Sequence, residues 1–96
     1  MHHKFAVFDG EVVLTVSANW THSGFFGDIG RPVSRGNAEN LVEVRHAEVA
    51  QAYAQEFALM WGDGPGGLRN SHFGIAKGAR AALAISTPEA WVQVQF

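Results

Sequence analysis

The chain has 96 residues, 47% of them apolar and 11% aromatic, enough for one modest core and no more. Seven Lys and Arg against nine Asp and Glu leave a net charge of −2, so the chain as a whole has no basic field with which to hold a polyanion. The absence of cysteine excludes disulfide frameworks, thiol catalysis and thiolate metal sites, and fits a reducing or an oxidising compartment equally. The apolar runs at 57–61 and 81–85 fall far short of the ~20 residues of a membrane helix, and Met1-His2-His3-Lys4 carries no apolar signal region.

Residues 3–8 and 11–18 are rich in β-branched and aromatic types and predict two strands. Asp9-Gly10 between them suits the positive φ angles of a two-residue type I′ turn. Gly24, Gly27, Gly30, Gly36 and Pro32 break all periodicity over 21–37, which reads as a long exposed loop with room for one helical turn. A third strand is expected over 40–45. From Ala47 to Trp61, Val49, Tyr53, Phe57, Met60 and Trp61 recur at spacings of three and four, the pattern of an amphipathic helix that Gly62 stops. Gly62-Asp63-Gly64-Pro65-Gly66-Gly67 reads as a flexible connector, and 81–85 and 91–96 as short strands joined by a turn over 86–89.

A two-residue turn would set Phe8 opposite Glu11, Ala6 opposite Val13, Lys4 opposite Thr15 and His2 opposite Ser17. Alternation then gathers His2, Lys4, Thr15, Ser17 and Asn19 on one side of the hairpin. An imidazole beside an ammonium and neutral donors is equipment for attack on a phosphoryl group whose anionic oxygens need stabilising. Asp9, of opposite parity and in the turn, has a structural place. The plainer reading is a frayed His-rich terminus with no chemistry.

At these residues the chain resembles the phospholipase D superfamily. His2-x-Lys4 with four residues to Asp9 is similar to its HxKxxxxD signature. Ser17-Ala18-Asn19-Trp20-Thr21 resembles the GSxNxT segment with Val16 in place of glycine, and Asn37-Ala38-Glu39-Asn40 resembles the NxEN segment and the strand after it. The helix at 47–61 is similar to the one that closes a family half-domain. The ordered match covers residues 2–61.

The resemblance implies an α/β fold: a partial phospholipase D-like half-domain over 1–62, with a mixed sheet built on the N-terminal hairpin and the amphipathic helix packed on it. Residues 63–96 would be a connector or tail with possible short strands. It also implies a two-step phosphodiester exchange on a phospholipid or a nucleic acid. His2 would attack phosphorus to give a phosphohistidine, or protonate the leaving oxygen. Lys4 and Asn19 would hold nonbridging oxygens, Ser17 would add a hydrogen bond, and Glu39 would orient the histidine. Asp9 completes the signature. No metal or other cofactor enters that scheme. Because it needs two histidines, the partner would be a second HKD half-domain in cis or a second copy in trans. Since the chain starts one residue before its motif, and 72–77 and 91–96 resemble the connector into a second half, it is expected to be a piece of a longer two-motif protein. The competing expectation is a noncatalytic remnant acting in folding or association.

Among other residues, His3 alternates to the side away from His2, so the two do not chelate one ion. His22, His46 and His72 lack ligand spacing. Gly24, Gly27 and Gly30 lack the framing of a phosphate loop. Trp20 is expected to face the core, and Phe25 and Phe26 to anchor the loop in it in preference to contacting a lipid or base. Tyr53, Phe57 and Trp61 are expected to pack.

Overall fold

A computed structural model describes residues 3–27, 39–64 and 70–96, leaving aside the side chains of residues 74 and 75. The elements are β1 (Phe5–Phe8), β2 (Val12–Val16), α1 (His22–Phe26), β3 (Leu41–Arg45), α2 (Ala47–Trp61), a 3-10 turn (Gly74–Lys77), β4 (Leu83–Ser86) and β5 (Trp91–Val94). Strands β1, β2 and β3 form an antiparallel sheet in that order, and β4 and β5 form a separate antiparallel hairpin. The architecture is the expected α/β one, with α2 lying against the sheet.

The first hairpin turns where its sequence says it should but in a different register. Asp9 and Gly10 take φ of 51° and 70°, and the Glu11 N–H donates to the Phe8 carbonyl at 3.0 Å, closing a turn of the expected kind. Phe8 nevertheless faces Val12 rather than Glu11, Val7 faces Val13, Ala6 faces Leu14 and Phe5 faces Thr15. Glu11 is the extra residue, and its carbonyl accepts the His46 N–H at 2.9 Å. One added residue inverts the facing of one strand against the other, so Lys4 and Thr15 are no longer a pair. The physical reason lies in β2. Val-Val-Leu-Thr-Val is apolar at both parities because the strand is central, with Val13 and Val16 buried on opposite sides, and such a run does not specify its own register.

Helix α2 has the expected bounds. Five alanines and no glycine or proline favour the helix, and Gly62, at φ 56°, ends it with its N–H on the Ala58 carbonyl. The chain then returns to satisfy other end carbonyls: the His72 N–H reaches the Leu59 oxygen at 2.8 Å, and the Ser71 hydroxyl reaches that of Trp61 at 3.2 Å. The connector read from Gly62 to Gly67 lies partly outside the described residues.

The buried side of α2 differs from the expected stripe. Val49, Ala50, Ala52, Glu56 and Met60 are buried, Tyr53 is half-buried, and Phe57 and Trp61 stack on each other at 5.2 Å with about half their surface in solvent. Small and medium side chains thus make up the apolar part of the buried face, while the larger aromatics Phe57 and Trp61 stay half-exposed. The core joins Val13 to Val49, Ala50, Ala52, Ile85 and Val94, so the β4–β5 hairpin packs into the same apolar cluster as the sheet. Each fully buried Val or Ile contributes roughly 1.5–3 kcal/mol. Tyr53 links the two parts, with Phe5 and Phe96 meeting its ring edge-on at 5.0 and 4.9 Å. The second hairpin is closed by Thr87, whose N–H donates to the Ala90 carbonyl and whose hydroxyl accepts the Ala90 N–H.

Candidate active site

Three motif segments, far apart in the chain, meet at one end of the three-stranded sheet. The first is the start of β1, where the Lys4 carbonyl accepts the Val16 N–H at 2.9 Å. The second is the end of β2, where the Ser17 N–H donates to the Asn40 carbonyl at 3.1 Å. The third is the approach to β3, where the Asn40 N–H donates back to the Ser17 hydroxyl at 2.8 Å and that hydroxyl donates to the Glu39 carboxylate at 2.5 Å. Antiparallel pairing brings them together, because β1 begins where β2 ends and β3 begins.

Asp9 sits in the turn at the opposite end, about 15 Å from Lys4 at the usual rise of a strand, with its side chain in solvent. His2 lies outside the described residues, as do Asn37 and Ala38.

The one-sided gathering of Lys4, Thr15, Ser17 and Asn19 does not form. In the observed register Lys4 stands opposite Val16, while Thr15 pairs with Phe5 on the α2 side. Ser17, one residue beyond β2, turns its hydroxyl toward β3 and Glu39 instead.

Asn19 follows in a turn that leads into α1, its carbonyl accepting the Thr21 N–H at 2.7 Å. Thr21 caps α1, its hydroxyl accepting the Gly24 N–H at 3.1 Å. Gly24 comes so close that an added Cβ would overlap the Asn19 carbonyl oxygen. Beneath this turn Ala18 is buried, and an open cavity of about 180 Å³ runs between Val16, Ala18, Phe25, Glu39 and Leu41. Trp20, Phe25 and Phe26 are exposed, Phe26 to 65%, and pack mainly on one another and on His22. They are not core anchors: β2 has ended before Trp20, so strand alternation no longer governs it, and the five-residue α1 buries none of its residues.

A second polar cluster, which motif reasoning missed, lies on the α2 side of the same end. Glu56 is fully buried, with Lys77 Nζ at 2.5 Å from one carboxylate oxygen, the Arg80 guanidinium on the other, and His3 Nε2 at 3.8 Å. Burial pushes its pKa up, but Lys77 and then Arg80 outweigh this and hold the carboxyl below its ordinary value of 4.5. The signal in the sequence was a glutamate in helical register with Val49, Ala52 and Met60, followed by Lys77 and Arg80. Among the described residues no cluster of three or more His, Cys, Asp or Glu could hold a metal ion, and no helix is long and apolar enough to cross a membrane.

The family model described as "Cardiolipin synthase, PLD-like domain" matches residues 1–61. The mitochondrial cardiolipin hydrolase of Xenopus laevis is 43% identical over 61 residues, covering 64% of this chain and 25% of that protein. Those of Chlamydomonas reinhardtii and Homo sapiens are 33% identical over 61 residues, 64% of this chain, covering 23% and 21% of their own lengths. No solved structure matches significantly. The chain belongs to the phospholipase D-like family, and it spans about a quarter of the length of the curated relatives it matches.

Proposed function

We propose that the chain supplies one half-site of a phospholipase D-type phosphodiesterase, acting by hydrolysis or transfer at a phosphodiester. The observation that carries this reading is the meeting of the Lys4, Ser17 and Glu39-Asn40 segments at one end of the sheet. His2 attacks phosphorus as the P–O bond breaks, and a second histidine protonates the leaving oxygen. Water or an acceptor alcohol then attacks the phosphohistidine, loses its proton to that second histidine and frees His2. The opposite assignment of the two histidines runs by the same balance. Lys4 and Asn19 hold the nonbridging oxygens, Ser17 adds a hydrogen bond, and Glu39 orients the imidazole. Asp9, remote from the phosphate, holds the turn.

The second histidine comes from another HKD half-domain in the same protein or from a second copy. Residues 1–62 carry the half-domain in this reading, and 63–96 lead on from it. The names of the relatives make cardiolipin the first phospholipid to test, with a nucleic acid as the other phosphodiester.

Turnover of a chromogenic phosphodiester in the presence of EDTA tests the reading. His2→Ala and Lys4→Ala are expected to lower kcat by about 10²-fold or more, the usual loss of a nucleophile or a charge-stabilising donor. Activity surviving in both variants would remove the site assignment. Absence of turnover in the unaltered chain favours the second reading, a noncatalytic association module. That reading draws on β1 and β3, the edges of the sheet, with Leu41 and Val42 of β3 exposed.

A further inference from the structure

Helix α2 places a carboxylate where its spacing calls for an apolar side chain. Glu56 shares its face with Val49, Ala52 and Met60, and none of its surface reaches solvent. A charge in that position persists only if partners satisfy it. Both partners, Lys77 and Arg80, come from the 70–96 segment, beyond residue 61 where the family match ends. Lys77 is itself nearly buried, and the Arg80 guanidinium lies over the Phe96 ring at 5.8 Å.

The cluster reaches the motif strand through one residue. His3 directs Nε2 toward Glu56 at 3.8 Å, and its ring packs against Phe5 at 6.3 Å and Phe96 at 6.1 Å. His3 is the immediate neighbour of Lys4. Successive side chains of an extended strand point to opposite sides, so a His3 held on the α2 side turns Lys4 to the other. The start of a strand frays unless something ties it down. Here the ties include the Val16 N–H and the Thr15 hydroxyl on the Lys4 carbonyl, at 2.9 and 3.5 Å, and the side chain of His3.

We propose that Glu56, clamped by Lys77 and Arg80, is a positioning residue for the HxK strand, holding His3 from the α2 side and thereby setting where Lys4 stands opposite Val16. The 70–96 segment is on this account part of the half-site's support. The catalytic meaning of that position rests on the function proposed above; the positioning itself does not.

Hydrogen exchange of single amides in the 96-residue chain separates a local hold from general stability. The Val16 N–H reports the start of β1 through its bond to Lys4, and the His46 N–H, bonded to Glu11, reports the far end of β2. His3→Ala, which removes no buried charge, and Arg80→Met are expected to speed exchange at Val16 by about tenfold or more while His46 is unchanged, the pattern of local opening. Lys77→Arg, which keeps the charge, is expected to leave Val16 protected. Equal acceleration at Val16 and His46, or unaltered protection of Val16 in His3→Ala, overturns the proposal. If the unaltered chain turns over phosphodiester, His3→Ala is also expected to lower kcat more than it raises KM. If the unaltered chain is inactive, the functional reading fails while the exchange result still decides the positioning role.

Discussion

The Ser17 hydroxyl joins two segments more than twenty residues apart, donating to the Glu39 carboxylate and accepting the Asn40 N–H. It therefore closes the motif end of the β2–β3 ladder and fixes the carboxylate assigned to orient the imidazole. In Ser17→Ala both bonds are lost, each with a net contribution of about 0.5–1.5 kcal/mol and less in so exposed a place. The expected result is a loss of about 1 kcal/mol in urea unfolding, with faster exchange at the Asn40 amide. Turnover should fall more than stability does, because Glu39 is released. Unchanged exchange at Asn40 would show that the hydroxyl does not hold this end.

Gly24 gives a sharper test of how the Asn19 turn is held. Any side chain there meets the Asn19 carbonyl oxygen, and the helical backbone of α1 offers it no other direction. Gly24→Ala, elsewhere in a helix a favourable change of up to ~1 kcal/mol, is expected here to destabilise by about 1–3 kcal/mol as Asn19 is pushed aside. The effect on KM for a phosphodiester should follow that of Asn19→Ala. A neutral or stabilising outcome, read by thermal unfolding, would mean that α1 does not pack on this turn.

Val16 occupies the position where the family pattern has glycine, and the structure gives it a structural role. It is 8% exposed, lies opposite Lys4, and lines the cavity at the motif end. Val16→Gly is expected to cost about 3 kcal/mol, combining ~2 for lost burial with ~1 for glycine in a strand. It opens the cavity toward Lys4 as well. A fall in KM alongside that loss of stability, measured on a bulky and a small phosphodiester, would show that the valine narrows access.

Much of this was legible in the residues. The recurrence of Val49, Tyr53, Phe57, Met60 and Trp61 marks α2 and Gly62 its end, and Asp9-Gly10 marks the turn. The resemblance also singled out Lys4, Ser17 and Glu39, whose segments meet at one end of the sheet, though not on the single hairpin face that a two-residue register would give. The register of β1 on β2 was hidden because Val12 to Val16 is apolar at both parities, so no alternation distinguishes one residue of slip from none. The face of α2 was hidden because alanines carry a weak hydrophobic signal, while Phe57 and Trp61 carry a strong one and stay outside. Glu56 was hidden for a related reason: local pattern reads a glutamate as solvent-facing, and its partners lie more than twenty residues away.

Glu56 should also shape the acid limb of stability. Its carboxyl is held below its ordinary value in the folded chain, through Lys77 and Arg80 and against burial, and regains that value on unfolding. The stabilisation is therefore complete above the ordinary value of 4.5 and is lost as pH falls from there through the depressed folded value. His3 is the other titratable group facing the carboxylate. Glu56→Gln removes this dependence and leaves Lys77 and Arg80 without their counter-charge, at a cost near neutral pH of about 3 kcal/mol, typical of breaking a buried pair. Urea midpoints of the unaltered chain and of Glu56→Gln are expected to converge as pH falls below the ordinary value of 4.5 and to stay apart above it. Because Glu56 is buried and Lys77 nearly so, 0.5 M NaCl, with a Debye length of about 4 Å, should narrow the gap at neutral pH only slightly. Parallel curves across the acid range would show that Glu56 does not gain its charge stabilisation from the clamp.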